Sequence, residues 1–414
     1  MNGDTLGILV GGGPAPGING VIASATIEAI NNGLRVLGIY DGYYHLAKGD
    51  TSHVHELHID DVSRIHFTGG SILRTSRTNP AKDASTLARC VDALNLLDVR
   101  YLIAIGGDDT TYGATKIAEV TQGRTGVATV PKTIDNDLPL PDNAPTFGFE
   151  TARSVGTNII ESLMEDARTT ERWYLVVSMG RKSGALALGM CKASGATLAV
   201  IPEEFPGAEL DFQAVVGTIV GAIVKRKSMG HAHGVAVVAE GIAERLSTAT
   251  LGGVEGAARD AYGHVRLAEM PIGNVLRDAV RRRLLELGLE TTVVTKDIGY
   301  ELRCAKPVPF DVEYARTLGY GAVRYLLGGG SGALIALSGG RVTPVNLSDL
   351  RDEKTGRVRV RMVDVTNESY EVARKYMIRL EATDFEEPML SRLAAETNLD
   401  ARGFKAAFAS ALTA

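Results

Sequence analysis

The sequence predicts an α/β protein with mainly parallel sheets, on three observations: short β-branched apolar runs, glycine turns directly after them, and amphipathic stretches of helical length between them. The runs are LGILV (6–10), RVLGIY (35–40), RYLIAI (100–105), GVATV (126–130), YLVVSM (174–179), ATLAVI (196–201) and GVAVVAE (234–240). NGVIASATIEAINN, ASTLARCVDALNLLD and TTYGATKIAEVTQ fill intervals between them and carry helical periodicity. Strand, turn, helix and strand in alternation is the pattern of βαβ units.

The 414 residues are 45 % hydrophobic and 22 % charged, which suits a soluble globular chain of two or three domains rather than a disordered one. A net charge of −5 gives no basic footprint for nucleic acid or an anionic membrane, so an anionic substrate would need a local cluster of cations. The start, MNGDTLGILVGGG, lacks a cationic segment and a long apolar run, and no stretch approaches the ~20 apolar residues of a membrane span. A cytoplasmic location is expected. Cys90, Cys191 and Cys304 are far apart with no CxxC, so neither a disulfide framework nor a zinc site is indicated.

The loop PKTIDNDLPLPDNAPTFGF (131–149) carries four prolines and is followed by a second alternating series. It divides the chain into two Rossmann-like α/β lobes, with the active site expected in the cleft between them, off the carboxyl ends of the strands. After about residue 340 the alternation stops, charged segments such as SDLRDEKTGRVRVR appear, and nothing looks catalytic.

Several loops can carry chemistry. GGGPAPGINGVI (11–22) opens a helix after the first strand, so its amides can cradle a phosphate, although a glycine turn there also serves plain strand-to-helix packing. It contains no GxGxxG, and the chain has no GxxxxGK[ST]. GGDDT (106–110) adds two acids, which suit Mg²⁺ held between a carboxylate and phosphate oxygens; the alternative is that Asp108 or Asp109 caps a helix beginning near Thr110. In PKTIDND (131–137), Asp135 and Asp137 share a face if the loop is extended, so one can orient while the other accepts a proton. An Asx-rich turn is the plainer alternative. SMGRKSG (178–184) brings Arg181 and Lys182, with Arg168 and Arg172 upstream and Arg303 and Lys306 in IGYELRCAKPVPFD (298–311). Singly these are surface charges; at strand ends beside glycine turns they are what a sugar phosphate needs. His53, His55, His58, His231 and His233 lack the acid or cysteine that would complete a metal set at usual spacing.

Taken in order, GGGPAPGIN, DGY (41–43), GGDDT, PKTIDND, MGR (179–181), AEG (239–241) and GYELR with PVPFD resemble the motifs of phosphofructokinases from about residue 5 to about 330. The resemblance implies Mg²⁺-dependent phosphorylation of the 1-hydroxyl of fructose 6-phosphate. It implies a larger donor-binding lobe (1–147 with about 302–340), a smaller sugar-phosphate lobe (148–301), and an extension (341–414) that packs on a lobe or a neighbouring subunit. Carried over residue by residue, it makes Asp135 the base, Thr133 a contact to the transferred phosphoryl, Asp137 a residue near sugar and magnesium, and Asp108 the magnesium aspartate. Gly12, Tyr43 and Arg77 match donor positions. Met179, Gly180, Arg181 and Glu240 match the fructose-binding face. Tyr300, Arg303 and, from across a subunit interface, Arg172 match the 6-phosphate site, which would make the enzyme a homodimer or homotetramer. Lys296 is the substitute for a further phosphate-binding arginine.

Two departures concern the donor. Asp109 stands where ATP-using members resemble GGDG[ST], and Lys132 stands where they have PGTIDND; both changes match the pyrophosphate-using branch. A side chain at residue 109 takes the space of an α-phosphate, and its charge opposes one by up to ~4 kcal/mol at about 4 Å for an effective dielectric near 20. Pyrophosphate has no α-phosphate, and Lys132 can hold its oxygens and the leaving phosphate. The expected reaction is reversible and serves glycolysis or gluconeogenesis. An ATP-using member of the same fold is the nearest alternative, with a non-catalytic subunit or a kinase sharing only a GGDG-type loop behind it.

Overall fold

A computed structural model describes residues 4–247, 271–350 and 358–409. Its strands are β1 (Thr5–Val10), β2 (Arg35–Ile39), β3 (Val54–Glu56), β4 (Val99–Gly106), β5 (Gly126–Pro131), β6 (Trp173–Ser178), β7 (Leu198–Val200), β8 (Gly234–Ala239), β9 (Val293–Ile298), β10 (Ala333–Ser338) and β11 (Arg341–Asn346). They form a sheet of order β11-β10-β5-β4-β1-β2-β3 and another of order β7-β8-β6-β9. The pairing is parallel except where β3 and β11 join as antiparallel edges. The chain divides into two compact units. One takes the described residues up to Ala152 with Tyr300–Arg361; the other takes those from Arg153 to Gly299 and from Met362 onward. Among the described residues no helix is long and apolar enough to cross a membrane.

In the first unit both sheet faces are covered, and successive side chains sort onto them. Leu6, Ile8, Val10, Ile103, Ile105, Ala128 and Val130 join a cluster with helices Ile18–Asn31 and Pro309–Leu327. Leu9, Leu102, Ala104 and Val127 point the other way, into a cluster with helices Ala84–Leu96 and Asp108–Thr121. That is the period of two expected of a strand buried on both sides, and each fully buried Leu or Ile contributes about 1.5–3 kcal/mol.

Pro309 sets the first turn of the long helix, and two residues on Asp311 is fully buried. Its carboxylate accepts from Gly148 N at 2.8 Å, Thr151 N at 2.7 Å and Thr151 Oγ1 at 2.5 Å, holding the start of helix Phe149–Thr170. Asp311→Ala leaves those donors buried without an acceptor and is expected to cost on the order of 3 kcal/mol, read as a lower urea midpoint. An unchanged midpoint would contradict that role.

The second unit rests on β6 and β8, every residue of which is buried. The segment from Met362 onward belongs to its core. Buried Arg379 and half-buried Tyr370 both donate to Glu204, Lys225 Nζ donates to Asp384 at 2.7 Å, and Phe404 and Phe408 are buried. The stretch just after 340 is not irregular: RVTPVN is β11, an edge strand able to hold Pro344, which has no amide to donate.

Candidate active site

The first sheet places three predicted loops side by side. β1, β4 and β5 are neighbours, so the loops at their carboxyl ends, GGG, GGDDT and PKTIDND, adjoin. The chain passes from β1 to β2 on one side and returns to β4 on the other, which makes the carboxyl ends of β1 and β4 a topological switch point. The loops are stitched together: Gly11 N donates to Ile105 O at 2.9 Å, and Lys132 N donates to Gly106 O at 3.0 Å. Thr110 is buried between the strand ends, and a Cβ on either Gly11 or Gly106 would lie 2.3 Å from its Oγ1. These two glycines make room for that threonine.

In the glycine loop two of the amides expected to face a phosphate are already used. Gly12, at φ +82°, donates its amide to Ser76 O at 2.9 Å, so the amides of Gly11 and Gly12 are taken by the fold. Cations stand there instead. Lys132, 5 % exposed, donates from Nζ to Gly13 O, with Nζ 3.1 Å from where a Gly12 Cβ would sit. The guanidinium carbon of Arg303 is 3.4 Å from where a Gly13 Cβ would sit, and it lies 5.4 Å from the ring centre of exposed Tyr300.

Asp108 and Asp109 are half-buried in the first turn of helix Asp108–Thr121. The helix begins two residues earlier than the sequence suggested, and its N-cap, Gly107, has no side-chain cap bond. Neither acid is therefore the cap; both sit where the helix dipole favours negative charge.

In PKTIDND the loop is not extended. Asn136 takes a left-handed φ of +56°, so the alternation that would set Asp135 and Asp137 on one face does not apply. Thr133 Oγ1 accepts from Asp135 N at 3.0 Å, and Thr146 N donates to Asn136 Oδ1 at 3.1 Å. Asp135 is 5 % exposed, and its Oδ1 is buried with no hydrogen-bond partner. A buried acceptor left open is costly, and it is the feature a proton-accepting base requires. Elsewhere in this unit Tyr43 is buried in the core cluster of Leu9 and Leu37, and Arg77 is exposed just after Ser76.

The second sheet has its own switch point, because β6 adjoins β8 on one side and β9 on the other. Buried Glu240, following β8, accepts from Gly180 N at 3.0 Å and Arg181 N at 2.8 Å, pinning the MGR loop after β6. Arg181 is held at φ +50°, and Met179 N donates to Ile298 O at 3.0 Å. Met179, Gly180, Arg181 and Glu240 are thus gathered. Arg172 is not with them. It precedes β6, whose six residues separate the two ends by roughly 20 Å, and its Nε lies 3.8 Å from Asp166. Lys296 is exposed along edge strand β9.

Two residues of these loops escaped the sequence reading. Glu203 accepts from Gly184 N at 2.9 Å, at the end of MGRKSG, and from Val363 N at 3.0 Å; burial pushes its carboxyl above the ordinary carboxylate range. Arg361, in the segment that looked inert, reaches PKTIDND: its backbone N donates to Asp137 O at 2.7 Å. His45, Asp50 and His53 bring ligand atoms within 4.8 Å of one another. The two imidazoles stack in parallel, 3.5 Å apart at 7°, so one ion cannot lie in both ring planes, and no metal is assigned there.

Residues 5–326 match the family model described as Phosphofructokinase. The chain is 55 % identical to a pyrophosphate–fructose 6-phosphate 1-phosphotransferase of Thermotoga maritima, over 93 % of both chains. It is 50 % identical to the one of Naegleria fowleri, over 97 % of this chain and 94 % of that one. A solved structure of the pyrophosphate-dependent phosphofructokinase of Nitrosospira multiformis matches with a TM-score of 0.65 over 92 % of each chain at 18 % identity, a likeness of fold. With most of its length matched and its glycine, TIDND and MGR loops set at the strand ends, the chain belongs to the phosphofructokinase family.

Proposed function

We propose that this protein transfers a phosphoryl group between pyrophosphate and the 1-hydroxyl of fructose 6-phosphate, giving fructose 1,6-bisphosphate and phosphate in a reversible step of glycolysis or gluconeogenesis. The observation that carries it is Asp135, a buried carboxylate with an open oxygen on the TIDND loop, beside a glycine loop lined by Lys132 and Arg303. The names of the relatives from Thermotoga maritima and Naegleria fowleri support the same donor and acceptor.

In this reading Asp135 takes the proton of the 1-hydroxyl as its oxygen attacks one phosphorus of pyrophosphate. The bridging P–O bond breaks, and phosphate leaves with its charge facing Lys132. Thr133 and Arg181 contact the transferred group, and Arg77 and Gly12 border the donor; Tyr43, expected there too, is buried in the Leu9 cluster and can only support the loop from behind. Asp137, Met179, Gly180, Glu240, Tyr300, Arg303 and Lys296 serve the sugar phosphate. The half-buried carboxylate of Asp108 offers the hard oxygen that suits Mg²⁺; bound there, the ion would neutralise phosphate oxygens, while Asp109 beside it takes the space of an α-phosphate.

Arg172 lies at the opposite end of β6 from MGR, so its service to a 6-phosphate requires a second subunit, and a homodimer or homotetramer in the cytoplasm is proposed. Phosphorus NMR of purified protein with Mg²⁺, fructose 6-phosphate and pyrophosphate tests the reaction. Appearance of fructose 1,6-bisphosphate and phosphate is expected, and no product in either direction would overturn it.

A further inference from the structure

Arg361 lies on a segment that no motif singles out, yet its guanidinium is spent on the TIDND loop. Nε donates to Asn136 O at 3.0 Å, one terminal nitrogen donates to Ala144 O at 2.9 Å, and the other donates to Asn136 Oδ1. Its backbone amide adds the bond to Asp137 O at 2.7 Å. Four contacts from one residue thus fall on the two residues after Asp135 and on the proline stretch beyond.

What they hold is a conformation that L side chains rarely adopt. Asn136 is at φ +56°, and Asp135 and Asp137 flank it, so rotation at Asn136 turns both carboxylates. Thr146 N also donates to Asn136 Oδ1, so the asparagine side chain is clamped between Thr146 and Arg361. Burial lowers the affinity of the guanidinium for its proton, while the facing Asp137 raises it; an arginine remains charged throughout. Its planar fork reaches separate oxygens at fixed angles, which a lysine ammonium cannot do.

We infer that Arg361 is a positioning residue for phosphoryl transfer, fixing Asn136 so that Asp135 and Asp137 face the reacting groups. The inference rests on the reading of Asp135 as the base.

The test compares kcat and KM for fructose 6-phosphate and pyrophosphate in wild type, Arg361→Ala, Arg361→Lys and Arg359→Ala. Arg359 is the control because its guanidinium donates instead to Asp349 O. Arg361→Ala is expected to lower kcat about 100-fold, the scale of a roughly 1 Å misplacement of reacting groups, with both KM values within about threefold. Arg361→Lys should recover less than about a tenth of the loss, and Arg359→Ala should stay near wild type. Low-millimolar guanidinium chloride should partly restore Arg361→Ala, while equal sodium chloride or urea should not. On an Asp135→Ser background, Arg361→Ala should lower the residual rate by less than about threefold, because the group it aims is gone.

Retention of kcat in Arg361→Ala, or a full 100-fold loss on the Asp135→Ser background, would overturn the inference. If Arg361→Ala does not fold, the same cycle with Arg361→Lys decides. A wild type inert toward both substrates would instead overturn the proposed function, so the two failures are distinguishable.

Discussion

Replacing Asp135 by serine is expected to lower kcat by about 10²- to 10⁴-fold, the usual contribution of a positioned general base, with both KM values nearly unchanged. Forward and reverse rates should fall together, since the variant cannot alter the reaction's equilibrium. Stability should move the other way. Asp135 is 5 % exposed and its Oδ1 has no partner, so the folded wild type carries a buried acceptor that water satisfied in the unfolded chain. A thermal midpoint equal to or above wild type, together with the lost rate, separates a base from a structural acid. Retained activity would refute the role, and a collapsed midpoint would show the carboxylate holding the loop instead.

The second large effect concerns the donor. In the Asp109→Gly, Lys132→Gly double variant, the pyrophosphate kcat/KM is expected to fall by at least about 100-fold, the scale of losing one preorganised charge at a leaving group. The ratio of ATP to pyrophosphate turnover should rise. Two features lead there. Lys132 Nζ lies across the glycine loop on Gly13 O, 3.1 Å from where a Gly12 Cβ would sit. Asp109 stands in the first turn of its helix, at the end of the strand next to β1. Steady-state rates with each donor check this, and an unchanged ratio would mean that these residues do not select the donor.

The parts of the fold legible in the sequence were those whose signal is local. LGILV and YLIAI read as strands because both faces of β1 and β4 are buried, leaving continuous apolar runs. Their glycine turns marked the switch points, and the loops of the candidate site follow from that. Other strands were missed: edge strand β9 carries exposed Lys296 and Asp297, edge strand β11 carries Pro344, and the largely buried inner strand β10, ALIALS, has no motif loop after it to mark it. The helix start at Asp108 was displaced because a glycine N-cap emits no side-chain signal. The left-handed Asn136 broke an inference made from extended geometry. Glu203 and Arg361 were invisible for another reason. Each is an ordinary charged residue whose partners lie far along the chain, Val363 for one and Asn136 for the other, so only the folded chain brings the pairs together.

One assay separates a sugar kinase that takes pyrophosphate and refuses ATP from one that uses ATP. Purified wild-type protein is given fructose 6-phosphate and Mg²⁺ with saturating pyrophosphate or saturating ATP, and fructose 1,6-bisphosphate is measured. Turnover with pyrophosphate is expected, and at least 100-fold less with ATP, about 3 kcal/mol of discrimination and within the ~4 kcal/mol that the charge at Asp109 allows. A rate with ATP equal to or above that with pyrophosphate would contradict it.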